Sequence, residues 1–117
     1  MAEYKLFMVG TAKIKAGKVP EAARWWRERG LPDLRSRPWA KSVKSYAVQF
    51  GLGGEYEMET WVEIDDYAAM DVMDNWIIED PERAEKDRNM WKEANEYYEW
   101  GPVRLMGDWP ESALVPE

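Results

Sequence analysis

The stretch Glu55-Tyr56-Glu57-Met58-Glu59-Thr60-Trp61-Val62-Glu63-Ile64 alternates with a period of two. Tyr56, Met58, Thr60, Val62 and Ile64 share one face, and Glu57, Glu59, Trp61 and Glu63 share the other. Such alternation marks a half-buried strand, because successive side chains leave opposite faces of a pleated backbone. Upstream, residues 39–50 form a second strand pattern, with Val43 and Ala47 opposed to Tyr46, Val48 and Phe50. Gly51-Leu52-Gly53-Gly54 between them has the length that joins antiparallel neighbours. The centre of the chain is therefore a hairpin.

On its N-terminal side, residues 3–14 alternate as well, with Leu6, Met8, Gly10, Ala12 and Ile14 on one face. Residues 15–18 form a turn, in which Gly17 is free to take an unusual φ. Pro20 then suits the first turn of a helix. Its stripe is Val19, Ala22, Ala23, Trp26 and Gly30, with Trp25 off the stripe and expected near the surface. Leu31-Pro32 is expected to break this helix, with one further turn over residues 33–37.

On the C-terminal side, Asp65 is a suitable cap for a helix starting at Asp66, striped by Ala69, Met70, Met73, Trp76 and Ile77. Asp80-Pro81 restarts it over residues 81–99, with Ala84, Trp91, Ala94 and Tyr98 inward. Asp87 falls inside that stripe, either buried against Arg24 or Arg27 or marking a pocket. Gly101-Pro102 ends the helix, and residues 103–106 make a fourth strand. One domain spans residues 1–109, and residues 110–117 read as a tail, loose or draped over a partner.

The order β-α-β-β-α-β, its second helix interrupted, is the ferredoxin-like arrangement of an α+β fold: an antiparallel sheet with helices on one face. The other sheet face carries Phe7, Val9 and Trp61 among its charges. That mixture is expected to be buried between two sheets in a homodimer. On it Glu57, Glu59 and Glu63 need partners such as Lys5, Lys13, Lys41 or Arg104, and cross-strand pairing competes with an acidic cation site.

Composition narrows the function. Leu, Ile, Val and Phe make only 20 of 117 residues, which with a net charge of −7 leans towards disorder. Eight Trp, seven Met and six Tyr tip the balance back to a folded chain and build the core from indoles and thioethers. Sixteen basic against 23 acidic residues leave no footprint for nucleic acid and disfavour anionic membranes. No run is long enough to span a bilayer, and the N-terminus has no signal-peptide core. The absence of Cys and His removes disulfides, thiolate catalysis, Ser-His-Asp triads and His-bound zinc or haem. A reducing cytoplasm fits that composition, and no cofactor or metal is expected.

Two segments resemble the dimeric α/β-barrel superfamily, which includes the antibiotic-biosynthesis monooxygenase-like and stress-responsive A/B-barrel domains. Ala12-Lys13-Ile14-Lys15-Ala16-Gly17-Lys18 is similar to the end of the first strand and its turn in those domains. Trp76-Ile77-Ile78-Glu79-Asp80-Pro81-Glu82-Arg83 is similar to the segment that interrupts their second helix. The resemblance implies that two sheets close into a barrel and that a ligand cavity lies between each sheet and its own helices. Where cyclase-like relatives place histidines, this chain has Glu79, Asp80 and Arg83. The branch it implies is instead the one that oxidises aromatic substrates without metal or flavin, with Tyr67, Asn75 and Glu79 as catalytic candidates.

Gly10, Ala12, Trp26, Met58, Met73, Trp76, Arg83, Trp91 and Tyr98 are the candidate ligand-binding residues. Small residues at 10 and 12 either leave a cavity or make room for Trp26 and Trp91 in a filled core. Three readings follow: an oxygenase-like enzyme for a small hydrophobic or aromatic molecule, a non-catalytic binding domain with the same pocket, or a structural dimer with none.

Overall fold

The apolar alternation at the N-terminus forms strand β1 (Leu6–Ile14) in a computed structural model that describes residues 5–48 and 56–108. The turn places Gly17 at a φ of +75°, in the region that favours glycine, and Pro20 opens helix α1 (Val19–Trp25). The hairpin is present as β2 (Ser42–Val48) and β3 (Glu57–Ile64), with Val43 opposite Val62 and Tyr46 opposite Glu59. The expected loop 51–54, Phe50, Trp109 and the tail 110–117 lie outside the described residues.

The chain does not break at Leu31-Pro32. It runs from α1 through one wide turn (Trp26–Gly30), in which the Leu31 N–H reaches back to the Trp26 carbonyl, into α2 (Leu31–Arg35). The wide turn shifts the bonding frame, so Pro32 falls in a new first turn, where a missing N–H costs no helical bond. Trp25 and Trp26 are both buried, so Trp25 is not on the surface as its spacing suggested. Gly30 provides the room: a Cβ there would lie 2.6 Å from Trp25 Cζ3 and 2.8 Å from Trp26 Cε3.

Helix α3 (Ala68–Glu79) is started by Asp66, whose Oδ1 accepts the Ala68 N–H at 2.8 Å, rather than by Asp65. Asp80 caps α4 (Pro81–Glu93) as expected, accepting the Arg83 N–H at 3.1 Å. The helix then ends early, in a single tight turn at Ala94–Glu96, and β4 (Tyr98–Gly107) starts five residues before the expected strand. Gly101-Pro102 is a bulge inside this strand, not a stop. Gly10 faces Val103 and Ala12 faces Trp100, so β4 carries one extra residue where β1 has Thr11. A bulge is where a strand tolerates a proline, and a Cβ at Gly101 would lie 2.5 Å from Thr11 Oγ1.

The four strands pair antiparallel in the order β2-β3-β1-β4, and the fold is ferredoxin-like α+β. The core expected from indoles and thioethers divides into two clusters. Ala12, Ala22, Trp25, Trp26, Met58, Ala94 and Tyr98 form the larger, and Leu6, Ile64 and Ala69 the smaller, with Met70 against the latter. Trp76 lies beside neither and packs edge-on against Trp39 at 5.8 Å.

On the other sheet face, Lys44, Trp61, Val9 and Arg104 form one row in register across all four strands. Phe7 meets Trp61 edge-on at 5.1 Å, and Val9 is fully buried. Two glutamates of this face have local partners: Glu59 accepts the Trp61 indole N–H at 2.6 Å, and Glu63 lies 3.5 Å from Lys41.

Candidate functional site

The small residues of β1 leave space. A cleft of about 340 Å³ opens between sheet and helices, floored by Met8, Gly10 and Ala12 of β1 and by Met58, Thr60 and Val62 of β3. Trp26, Leu34 and Trp91 reach it from the helical layer, and Trp100 and Val103 from β4. No charged side chain among the described residues lines it.

The indole N–H groups of its walls all have partners. Trp26 Nε1–H donates to Ser45 Oγ at 2.8 Å, Trp91 Nε1–H to Asp33 Oδ2 at 2.8 Å, and Trp100 Nε1–H to Asn95 Oδ1 at 2.9 Å. The rings hold one another in edge-on contacts, Trp26 to Trp91 at 5.7 Å and Trp91 to Trp100 at 5.9 Å. Such pairs favour a fixed geometry beyond their buried area. What remains for a ligand is aromatic, aliphatic and thioether surface and two threonine hydroxyls.

Behind this cleft lies a charged cluster. Arg37 of the α2–β2 connection donates to Asp33 at 2.7 Å and to Asp87 of α4, and these side chains are mostly buried. Asp87 is thus paired, but by Arg37 rather than Arg24 or Arg27: the turn over residues 33–37 is expected, but its placement against α4 is a tertiary contact that spacing does not give. Burial, with Asp33 beside it, pushes the Asp87 carboxyl up to about 6. Burial acts on Asp33 too, but hydrogen bonds from Asp87, Arg37 and Trp91 outweigh it and hold that carboxyl below its ordinary value.

Of the expected ligand-binding residues, Gly10, Ala12, Trp26, Met58 and Trp91 meet at the cleft. Tyr98 stands next to it, stacked on Trp100 at 5.2 Å, its hydroxyl donating to the Ala22 carbonyl at 2.6 Å. Burial pushes that phenol up to about 12. Trp76 and Arg83 lie in a separate, polar surface cleft with Asp33 and Asp87. There the Arg83 guanidinium stacks 4.3 Å from the Trp76 ring and donates to its backbone carbonyl. Met73 is half-buried on α3, and Tyr67, Asn75 and Glu79 are exposed on or just before that helix, away from the indole cleft. Sequence reasoning missed Trp100, which it placed beyond the end of a helix. Alternation would have brought it to the Ala12 side only with the bulge at Gly101-Pro102 allowed for.

Solved structures share this fold over nearly the whole chain. An uncharacterized NIPSNAP domain protein from Burkholderia xenovorans superposes with a TM-score of 0.63 at 20% identity, covering 96% of this chain and 99% of that one. A dimeric ferredoxin-like protein from an uncultured marine organism gives 0.53 at 12% identity, covering 93% and 99%. A protein of unknown function from Nitrosomonas europaea gives 0.52 at 15% identity, covering 98% and 97%. At such identities the likeness defines the fold, and it agrees with the superfamily resemblance at that level. No family model matches the chain, and no curated protein matches it in sequence. No helix of the described residues is long and apolar enough to cross a membrane.

Proposed function

We propose that this chain is a cytoplasmic, homodimeric, single-domain binding protein for a small, flat, apolar molecule held in the indole cleft. One observation carries the reading: next to Gly10 and Ala12 there is a space of about 340 Å³ rather than a filled core. Its walls are aromatic rings already oriented by their own hydrogen bonds, so little ordering cost is left for binding. The homodimer rests on the second sheet face, where Val9 and Trp61 lie between Lys44 at one edge of the sheet and Arg104 at the other, with Phe7 against Trp61 and with Glu59 and Glu63 flanking Trp61 along β3. A two-fold axis through such a face sets apolar against apolar and can set acid against base. One solved structure of this fold is described as dimeric.

Binding is favoured over oxygenase-like catalysis because Tyr67, Asn75 and Glu79 do not reach the cleft. Titration of the protein with naphthalene, read by quenching of tryptophan fluorescence, tests the reading. Saturable quenching with one site per chain is expected. Linear quenching with no saturation contradicts it. Oxygen uptake with a panel of quinols separates the two functions, and the binding reading expects none.

A further inference from the structure

The floor of the indole cleft holds one buried polar side chain, Thr60, opposite Gly10 in the β1–β3 ladder. Its Oγ1 lies 2.9 Å from Ser45 Oγ, and Ser45 Oγ accepts the Trp26 indole N–H. An indole nitrogen is only a donor, so it consumes acceptor capacity at Ser45 and supplies no acceptor in return. Two hydroxyl hydrogens remain on Ser45 and Thr60, and the bond between them uses one. When Ser45 donates to Thr60, the Thr60 hydroxyl hydrogen is left for the cleft. The relay is anchored at both ends, by the Trp26 ring and by the β2–β3 ladder, in which Ser45 faces Thr60. Around it, no charged side chain among the described residues offers compensation to an ionised ligand.

From this geometry we infer that the cleft selects an uncharged aromatic ligand bearing one oxygen, a phenol or a ketone, recognised by the Thr60 hydroxyl that Ser45 holds in place. The inference rests on the binding reading above and adds the chemical class of the ligand. Thr11, the other hydroxyl of the lining, sits at the bulge beside Gly101 rather than on the buried floor, so it takes no part in this recognition.

The test is calorimetric titration with naphthalene, naphthol and naphthoate on the wild type, Thr60→Val and Thr60→Ser. In the wild type naphthol binds roughly fivefold more tightly than naphthalene, the yield of one neutral hydrogen bond. Naphthoate binds more weakly than either. Thr60→Val removes the preference for naphthol while naphthalene affinity stays within twofold, and Thr60→Ser restores it. The melting temperature of each variant, followed by circular dichroism, verifies that both remain folded at the titration temperature. Equal affinities for naphthalene and naphthol in the wild type, or a preference that survives Thr60→Val, overturns the inference and leaves the binding reading standing. Naphthoate binding best of the three also overturns it. No binding of any probe overturns the binding reading itself.

Discussion

Trp91 donates its indole N–H to the Asp33 carboxylate across 2.8 Å, tying a wall of the apolar cleft to the ion cluster behind it. The same carboxylate receives Arg37, which also holds Asp87. One side of the ring thus serves the cleft and its edge serves the α2–α4 contact.

Replacing Trp91 by Phe keeps an aromatic wall and removes the donor. Urea unfolding should show a loss of about 1 kcal/mol, the net worth of one part-buried hydrogen bond plus some lost ring area. Unchanged stability would mean that the Asp33–Trp91 bond contributes nothing in solution.

Asp87 makes the cluster sensitive to acid in an unusual direction. Its carboxyl, raised from 3.8 to about 6 in the folded protein, binds a proton more tightly folded than unfolded. The stability it contributes is fully present below about pH 4 and is lost as the pH rises through about 6. Asp33, held below its ordinary value, works the opposite way and loses its contribution only in stronger acid. Asp87→Asn should therefore flatten the dependence of melting temperature on pH between about 4 and 7. Parallel curves for wild type and variant would contradict this.

Two glycines of the larger core region respond to alanine in opposite ways. At Gly30 a Cβ would collide with both Trp25 and Trp26, so Gly30→Ala should destabilise by about 1–3 kcal/mol, as overpacked cores do. At Gly10 the nearest atom to a Cβ is Val103 Cγ2 at 3.7 Å, an ordinary contact. Gly10→Ala should be neutral or stabilising by ~0.5 kcal/mol through the lost freedom of the unfolded chain. Thermal melts of the two variants give the comparison, and equal losses would contradict it.

Much of this was legible in the sequence because it rests on short-range periodicity. The ten residues from Glu55 fix β3 by alternation alone, and the cap at Asp80 follows from the Asp-Pro pair. The departures are places where a tertiary contact decides. Adjacent Trp25 and Trp26 diverge by about 100° on a helix, so the stripe picks out one of them, and the space over Gly30 that admits both rings is a tertiary feature. Gly101-Pro102 carries a stop signal that tertiary pairing with β1 overrides. Asp87 stood out as a charge in an apolar stripe, but its partner depends on α2, whose position no local pattern gives.

The second sheet face gives a separate expectation. Trp61 stands at its centre, touching Phe7 and Tyr46. Trp61→Lys should shift the sedimentation coefficient from that of a dimer to that of a monomer while the far-ultraviolet spectrum is retained. A variant that still sediments as a dimer would place the interface elsewhere.

Everything proposed for the cleft depends on the space beside Gly10 and Ala12 receiving a ligand. Calorimetric titration of naphthalene into the wild type and into Gly10→Leu, whose side chain would occupy that space, measures this without intermediate steps. Saturable binding to the wild type and none to Gly10→Leu is expected, from a variant that still unfolds cooperatively. Equal binding to both proteins, or none to the wild type, would contradict it.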